Sequence, residues 1–404
     1  MKYTTFKSLY YKAPDTIEHT YTSRYDSDLT RHFSINIRQY NHNKEFPAFL
    51  CHTENMLLLL ERIYKQYEKL FYVIHTVPPV VHHQFSLMCI VDEVKSTNDI
   101  EGVHSTRKEL KALLNGSVSR PARFESIVNK YKNLLSQEFI SFHTCQDIRD
   151  FYDNFAHEEI SMENISNRLD GKIFRKESVD ILSPSGKTIH RGVYPESKII
   201  AAMTTALHVL HDETIPMLVR LALFHYFFAY IHPFYDGNGR TDRFITSYFL
   251  GQHLHPFAAL RLSVIMKKHR KKYYSLFEEC DSELNRGDMT PFVHGFLALI
   301  ADSLEDTTAL LQRKNAQLKK YKMRLDEKLS GDTLTHSIYY ILLQAALFYG
   351  QGVTIQQIMD ITQKSRGTIQ KRLDQIPEKH IVKIRYKQFY YKLNMLILKE
   401  PLMK

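Results

Sequence analysis

Tryptophan is absent from the 404 residues, and glycine and proline are sparse at 14 and 13. That scarcity excludes a collagen-like or low-complexity chain. Only four cysteines occur, Cys51, Cys89, Cys145 and Cys280, with no CxxC pair. A disulfide framework or a zinc site is therefore not expected, and a reducing cytoplasm is the natural compartment. Long hydrophobic runs are missing as well. The most apolar stretch, Met217–Ile231, is too short to cross a bilayer and carries Arg220 and His225, so it reads as a buried helix and no membrane partner is expected. The opening MKYTTFKSLYYKAPD has no apolar segment behind its lysines and does not read as a signal peptide.

What is present is a globular composition, 44% hydrophobic and 24% charged, at a length suited to two or three domains. The formal net charge of +10 points to an anionic partner such as phosphate, nucleic acid or an acidic surface, without choosing among them. Helical periodicity dominates, over Asn55–Lys69, Phe85–Ser96, Phe124–Gln137, Ile199–Leu210, Pro216–Ile231 and Gly239–Gln252. Gly171–Pro195 interrupts it with β-branched residues around Ser183–Lys187, a hairpin signature. A charged helix is expected over Ser303–Leu329, and Ser330-Gly331-Asp332 breaks it. Met1–Val81 shows no clear period. His75, His82 and His83 lie at no standard metal spacing and read as surface or packing residues.

The segment His232–Arg243, HPFYDGNGRTDR, carries chemistry. Asp236-Gly237-Asn238-Gly239 predicts a sharp turn whose free backbone N–H groups open a helix and so bind anions. Arg240 and Arg243, three residues apart, share a helix face beside that nest and suit phosphate oxygens. Asp236 is positioned to hold Mg²⁺ bridging phosphates, and His232 to take a proton from an incoming hydroxyl. Any one of these is commonly a turn, a helix-end hydrogen bonder or a solvated pair. Together, in one order, they suit phosphoryl or nucleotidyl transfer.

This segment resembles the signature of the Fic family, HPFx(D/E)GNGRxxR, at every defined position. The resemblance spans roughly His82–Leu304. It implies a mostly helical core with a β-hairpin flap, and AMP transfer from ATP, with Mg²⁺, to a Ser, Thr or Tyr hydroxyl of a target protein. It also implies His232 as general base, Asp236 on Mg²⁺, and Gly237, Asn238 and Gly239 around the α- and β-phosphates. Arg240 would then meet the β-phosphate and Arg243 the γ-phosphate, while flap residues Ile189, His190 and Tyr194 would dock the target by strand addition. In the related Doc branch, which phosphorylates, a lysine takes the place of Gly239, so Gly239 favours AMP transfer. Family members often carry an Asn ahead of a Tyr pair. Here Lys267-Lys268-His269-Arg270 stands before Tyr273-Tyr274, and either tyrosine remains a candidate for the adenine side.

Upstream, Lys95–Gly102 (KSTNDIEG) is similar to the family's inhibitory pattern (S/T)xxxE(G/N), with Thr97, Glu101 and Gly102 at the defined positions. The resemblance implies that Glu101 pairs with Arg243 in place of the γ-phosphate, and in some members the same glutamate serves removal of AMP. Toward the end of the chain, helices at Thr335–Phe348, Thr354–Thr362 and Thr368–Ile376 precede a strand pair near Val382–Arg385 and Gln388–Leu393. That order resembles a winged helix-turn-helix, with Arg366, Lys371 and Arg372 as candidate DNA phosphate contacts. The expected organisation is a mostly α chain: an N-terminal helical region (1–115) carrying the inhibitory motif, a Fic core (116–304), a linker helix (305–330) and a winged helix (331–404). The rivals are a DNA-binding regulator whose site senses nucleotide, and a phosphotransferase using another nucleotide. Self-modification and a homodimer stay open.

Overall fold

Threonine caps begin much of the helical framework. Thr53, Thr106 and Thr144 accept the N–H groups of Met56, Glu109 and Asp147, which starts the helices Glu54–His75, Arg107–Leu114 and Cys145–Tyr152. These elements belong to a computed structural model that describes residues 3–116, 122–136, 138–157, 159–160, 164–182, 186–328 and 332–398. The chain is mostly helical, with three small antiparallel hairpins among the described residues.

The Met217–Ile231 helix is apolar on every side because neighbours cover every side. Glu196–His211, Asn238–His253 and Thr290–Lys328 all pack on it, and even His225 is fully buried. The Thr290–Lys328 helix crosses residue 304 without a break. Leu304, Leu311, Leu318 and Leu325, seven residues apart, are all buried along it, against Glu54–His75 and Thr333–Phe348. The expected linker segment is thus the second half of one long core helix. Of the expected breaker, Ser330 and Gly331 lie outside the described residues.

The first eighty residues are more ordered than their pattern suggested. Strands β1 (Thr30–Ile37) and β2 (Phe46–Cys51) form a hairpin, bulged between Phe33 and Asn36. Phe33, Ile35 and Ile37 point into the core at a period of two, where aromatics and charges had hidden any regularity. The hairpin expected near Ser183–Lys187 is formed by β3 (Asp180–Leu182) and β4 (Thr188–Arg191), although Ser183–Ser185 of its turn lie outside the described residues.

Thr333–Phe348, Ile355–Thr362 and Arg366–Gln375 are followed by hairpin β5 (Ile381–Arg385) and β6 (Phe389–Leu393), with Val353 bridging to Tyr391. The first of these helices packs directly on Pro79–Ile100, the helix that carries Thr97 and leads to Glu101. Among the described residues no helix is long and apolar enough to cross a membrane, and no group of three or more His, Cys, Asp or Glu could hold a metal.

Candidate active site

The Met217–Ile231 helix stops at His232, whose left-handed backbone (φ 53°) caps it and swings the imidazole out of the helix. Its Nδ1 lies 3.3 Å from the Ala229 carbonyl, a contact that assigns the proton to Nδ1 and leaves Nε2 as an acceptor. Desolvation, His190 and Arg175 hold this imidazole down to about 3, so it is neutral at physiological pH.

The loop that follows is closed by its own side chains. Asn238 accepts from the Phe234 N–H at 2.9 Å and donates to the Phe234 carbonyl at 2.7 Å. The Phe234 ring stacks on Tyr152 with centroids 3.7 Å apart. Gly237 adopts φ 79°, and a β-carbon there would fall 2.5 Å from Ile160, so the turn requires glycine twice over. Thr241 makes the first backbone bond into the Asn238–His253 helix, to Gly237. The N–H groups of Asn238, Gly239 and Arg240 therefore face outward from the helix start, where the dipole is positive. With its amide committed to Phe234, Asn238 offers a ligand its backbone only.

Both arginines of the motif are buried. Arg240 pairs with Glu159 at 3.0 Å, while its Nε and Nη2 have no hydrogen-bond partner among the described residues. Arg243 donates to the Thr97 hydroxyl at 2.8 Å, to the Thr97 carbonyl at 3.2 Å and to Glu101 at 2.7 Å. Burial raises the Glu101 carboxyl, but Arg243 outweighs it and leaves the group below its ordinary range; the pair holds Arg243 above its own. Glu101 also lies over the nest. A β-carbon added to Gly239 would meet its Oε1 at 2.1 Å. The φ of Gly239 is ordinary, so glycine here makes room for the carboxylate.

The end of the Pro79–Ile100 helix is held from the other side. Lys267 reaches Asp99 at 2.6 Å, and Arg270 donates to the Ile100 carbonyl at 3.0 Å, with the Tyr274 hydroxyl at 3.4 Å from the same oxygen. Two cations of the unusual Lys267–Arg270 run thus grip the segment leading into Glu101. Gly102, at φ 75°, ends that segment in an exposed turn.

Residues 144–250 match the Fic/DOC family model. That span contains the flap and the whole motif. The "Protein adenylyltransferase Fic" of Drosophila melanogaster is 32% identical over 142 residues, 35% of this chain and 25% of that protein. The protein of the same name from Aedes aegypti is 39% identical over 89 residues, 22% of this chain and 15% of that protein. The chain thus spans about a quarter or less of the length of these curated relatives. A crystal structure of a Fic family protein from Desulfovibrio desulfuricans G20 superposes with TM-score 0.52 at 18% identity, covering 85% of this chain and 97% of that one. The two chains share a fold.

The remaining predicted residues divide. Tyr273 is buried, its hydroxyl 2.8 Å from His225 Nε2, so it has no face to offer a base; Tyr274, half-buried beside Arg270, does. On the flap, Ile189 and Tyr194 point outward, whereas His190 is buried and bonded to the Tyr230 carbonyl at 2.7 Å. Strand alternation makes His190 an anchor and leaves its neighbours exposed. Asp236 accepts from the Gly237 N–H, and its other oxygen lies 3.4 Å from Asn167 Nδ2. Arg366 and Lys371 are exposed, but Arg372 pairs with Asp332 at 3.0 Å.

Glu159 and Arg175 went unnoticed in the sequence. Arg175 is fully buried and donates to the carbonyls of His232 (2.9 Å), Val193 (2.8 Å) and Glu177, stapling motif loop to flap. With no carboxylate partner among the described residues, it is lowered by burial to about 10. The available signal for Glu159 was its place seven residues after Tyr152, in a stretch where a π-helical turn (Asp153–His157) shifts the helical phase.

Proposed function

We propose that the protein is a protein adenylyltransferase that moves AMP from ATP to a Ser, Thr or Tyr hydroxyl of a target protein and is restrained by Glu101. The observation that carries this is the neutral His232 standing next to an anion nest whose γ-side cation is already occupied by a carboxylate of the same chain. His232 Nε2 takes the hydroxyl proton as the oxygen attacks the α-phosphorus, and the bond to pyrophosphate breaks. The N–H groups of Asn238, Gly239 and Arg240 hold the phosphates, and the unpartnered nitrogens of Arg240 meet the β-phosphate.

A single carboxylate beside a phosphate nest suits Mg²⁺, which takes one or two protein carboxylates together with substrate oxygens. Asp236 fits that role, with lone pairs left after its bond to Gly237. Mg²⁺ held there by Asp236 would supply positive charge against the negative charge that develops on the leaving pyrophosphate. Ile189 and Tyr194, exposed on the flap, are the target-docking residues of this reading.

We also read the C-terminal helices and hairpin as a winged helix. Its exposed Arg366 and Lys371, and the Lys383 and Arg385 cations lying over Phe389, favour nucleic-acid contact as a second activity. Four free, buried cysteines suit a reducing cytoplasm.

ATP labelled at the α- or the γ-phosphate tests the reading, with wild type and His232→Ala incubated with Mg²⁺ and cell lysate. Protein label from the α-position alone, lost in His232→Ala, is expected. Label from the γ-position would mean phosphorylation. No label from either, with DNA still bound, would favour a nucleotide-sensing regulator.

A further inference from the structure

The loop between β1 and β2, Arg38–Glu45, has no role in the nucleotide chemistry, yet it is built as a wall. The Arg38 N–H donates to the Tyr230 hydroxyl at 2.9 Å, Gln39 Oε1 accepts the Glu283 N–H at 2.8 Å, and His42 lies 2.6 Å from the Glu283 carboxylate. Asn41 takes the left-handed turn at φ 61°. These anchors leave Tyr40 facing the flap, where the Arg191 guanidinium sits 5.5 Å from its ring centre. Arg191 in turn is forked onto Asp180 across the β3–β4 ladder.

Between this loop, β4 and the Glu196–His211 helix lies a cavity of about 780 Å³. Its floor is the small-residue face Ala201, Ala202 and Thr205. Both strands that border it have an unpaired edge, since β1 pairs only with β2, and β4 only with β3, among the described residues. The bulged residues Ser34 and Ile35, outside the ladder register, line it directly. Strands with one edge unpaired are the element an extended chain joins by strand addition. The cavity reaches the reaction centre at Gly192, where a β-carbon would fall 3.0 Å from the His232 Cβ.

Its charge is one-sided. Arg38 and Lys198 line it as its available cations, Arg191 beside them being matched by Asp180, and Glu45 is the sole acidic residue among the described lining residues. Lys198 makes no ion pair among the described residues, and the Arg38–Glu45 pair is loose at 3.7 Å with both side chains about half exposed. We propose that this groove receives an extended, acidic segment of the target protein, with the Arg38–Glu45 loop as a second wall that selects which hydroxyl-bearing sequences reach His232. The proposal rests on the protein-modifying reading above.

The test uses fluorescent peptides with a central Thr flanked by Asp/Glu, by neutral residues or by Lys/Arg. Fluorescence anisotropy on the full chain without nucleotide reads docking, and α-labelled ATP with the Glu101→Gly form reads transfer. Acidic peptides are expected to bind about tenfold tighter than neutral ones, a margin that two or three rim charges supply. Arg38→Glu and Lys198→Glu, both on exposed side chains and checked by an unchanged melting curve, should reverse the order toward basic peptides. Equal affinity for all three sets, or an order unchanged by both reversals, would overturn the groove. If acidic preference appears and reverses but no peptide takes α-label, the groove stands and AMP transfer falls. If transfer proceeds with no flank preference, the groove falls and AMP transfer stands.

Discussion

Glu101 Oε1 lies 2.7 Å from Arg243 Nη2, in the space that a side chain on Gly239 would fill. On the proposed reading, one carboxylate therefore competes with a phosphate in two ways, by taking a cation and by occupying volume. A charge-assisted pair that is partly exposed contributes on the order of 1–2 kcal/mol. Calorimetry should therefore show ATP binding to Glu101→Gly about tenfold more tightly than to wild type. Equal affinities would mean that the pair does not compete with the triphosphate.

Arg270 and Lys267 hold the backbone and side chain just ahead of Glu101. Removing either should loosen the carboxylate without touching the nest. Arg270→Ala is expected to raise basal AMP transfer by a smaller factor than Glu101→Gly, and the gain should vanish in the Arg270→Ala/Glu101→Gly double variant relative to Glu101→Gly alone. An additive gain would place Arg270 outside this restraint.

Arg175 fastens the carbonyl of His232 to the flap, and its planar fork matches several carbonyls at once. Arg175→Met leaves those carbonyls buried without donors, at about 1–3 kcal/mol each. The expected result is a lower urea midpoint and loss of transfer, with Arg175→Lys failing to restore either. Full activity in Arg175→Met would show that flap and motif loop need no common staple.

Glu93 is buried on the Pro79–Ile100 helix, with both oxygens on the Ser263 N–H, and burial raises its carboxyl to about 7. A carboxyl raised on folding favours the native state while protonated. Its contribution is complete below the ordinary value of 4.5 and is lost as pH rises through 7, on the order of 3 kcal/mol in total. Urea midpoints at pH 5 and pH 7.5 should therefore diverge less in Glu93→Gln than in wild type. An identical divergence would show that Glu93 does not titrate in this window.

The geometry of the motif from His232 to Arg243 was legible because it depends on local spacing: a capped helix, a turn and a new helix start. Glu101 was legible as well, since a short pattern places it at a helix end. Arg175 and Glu159 were not, because each acts through partners about 57 and 81 residues away and sits in no motif. Tyr273 and Tyr274 looked equivalent in sequence. Their one-residue offset on the Arg270–Asp281 helix turns one ring into the core and leaves the other near Arg270. The β1–β2 hairpin was missed although Phe33, Ile35 and Ile37 alternate, since charged and aromatic residues between them masked a period of two.

Restraint by Glu101 is most directly tested by the initial rate of protein labelling from α-labelled ATP in wild type, Glu101→Gly and the Glu101→Gly/His232→Ala double variant. The account predicts a rate at least about tenfold above wild type in Glu101→Gly and none in the double variant. A Glu101→Gly rate equal to wild type, or labelling that survives loss of His232, would contradict it.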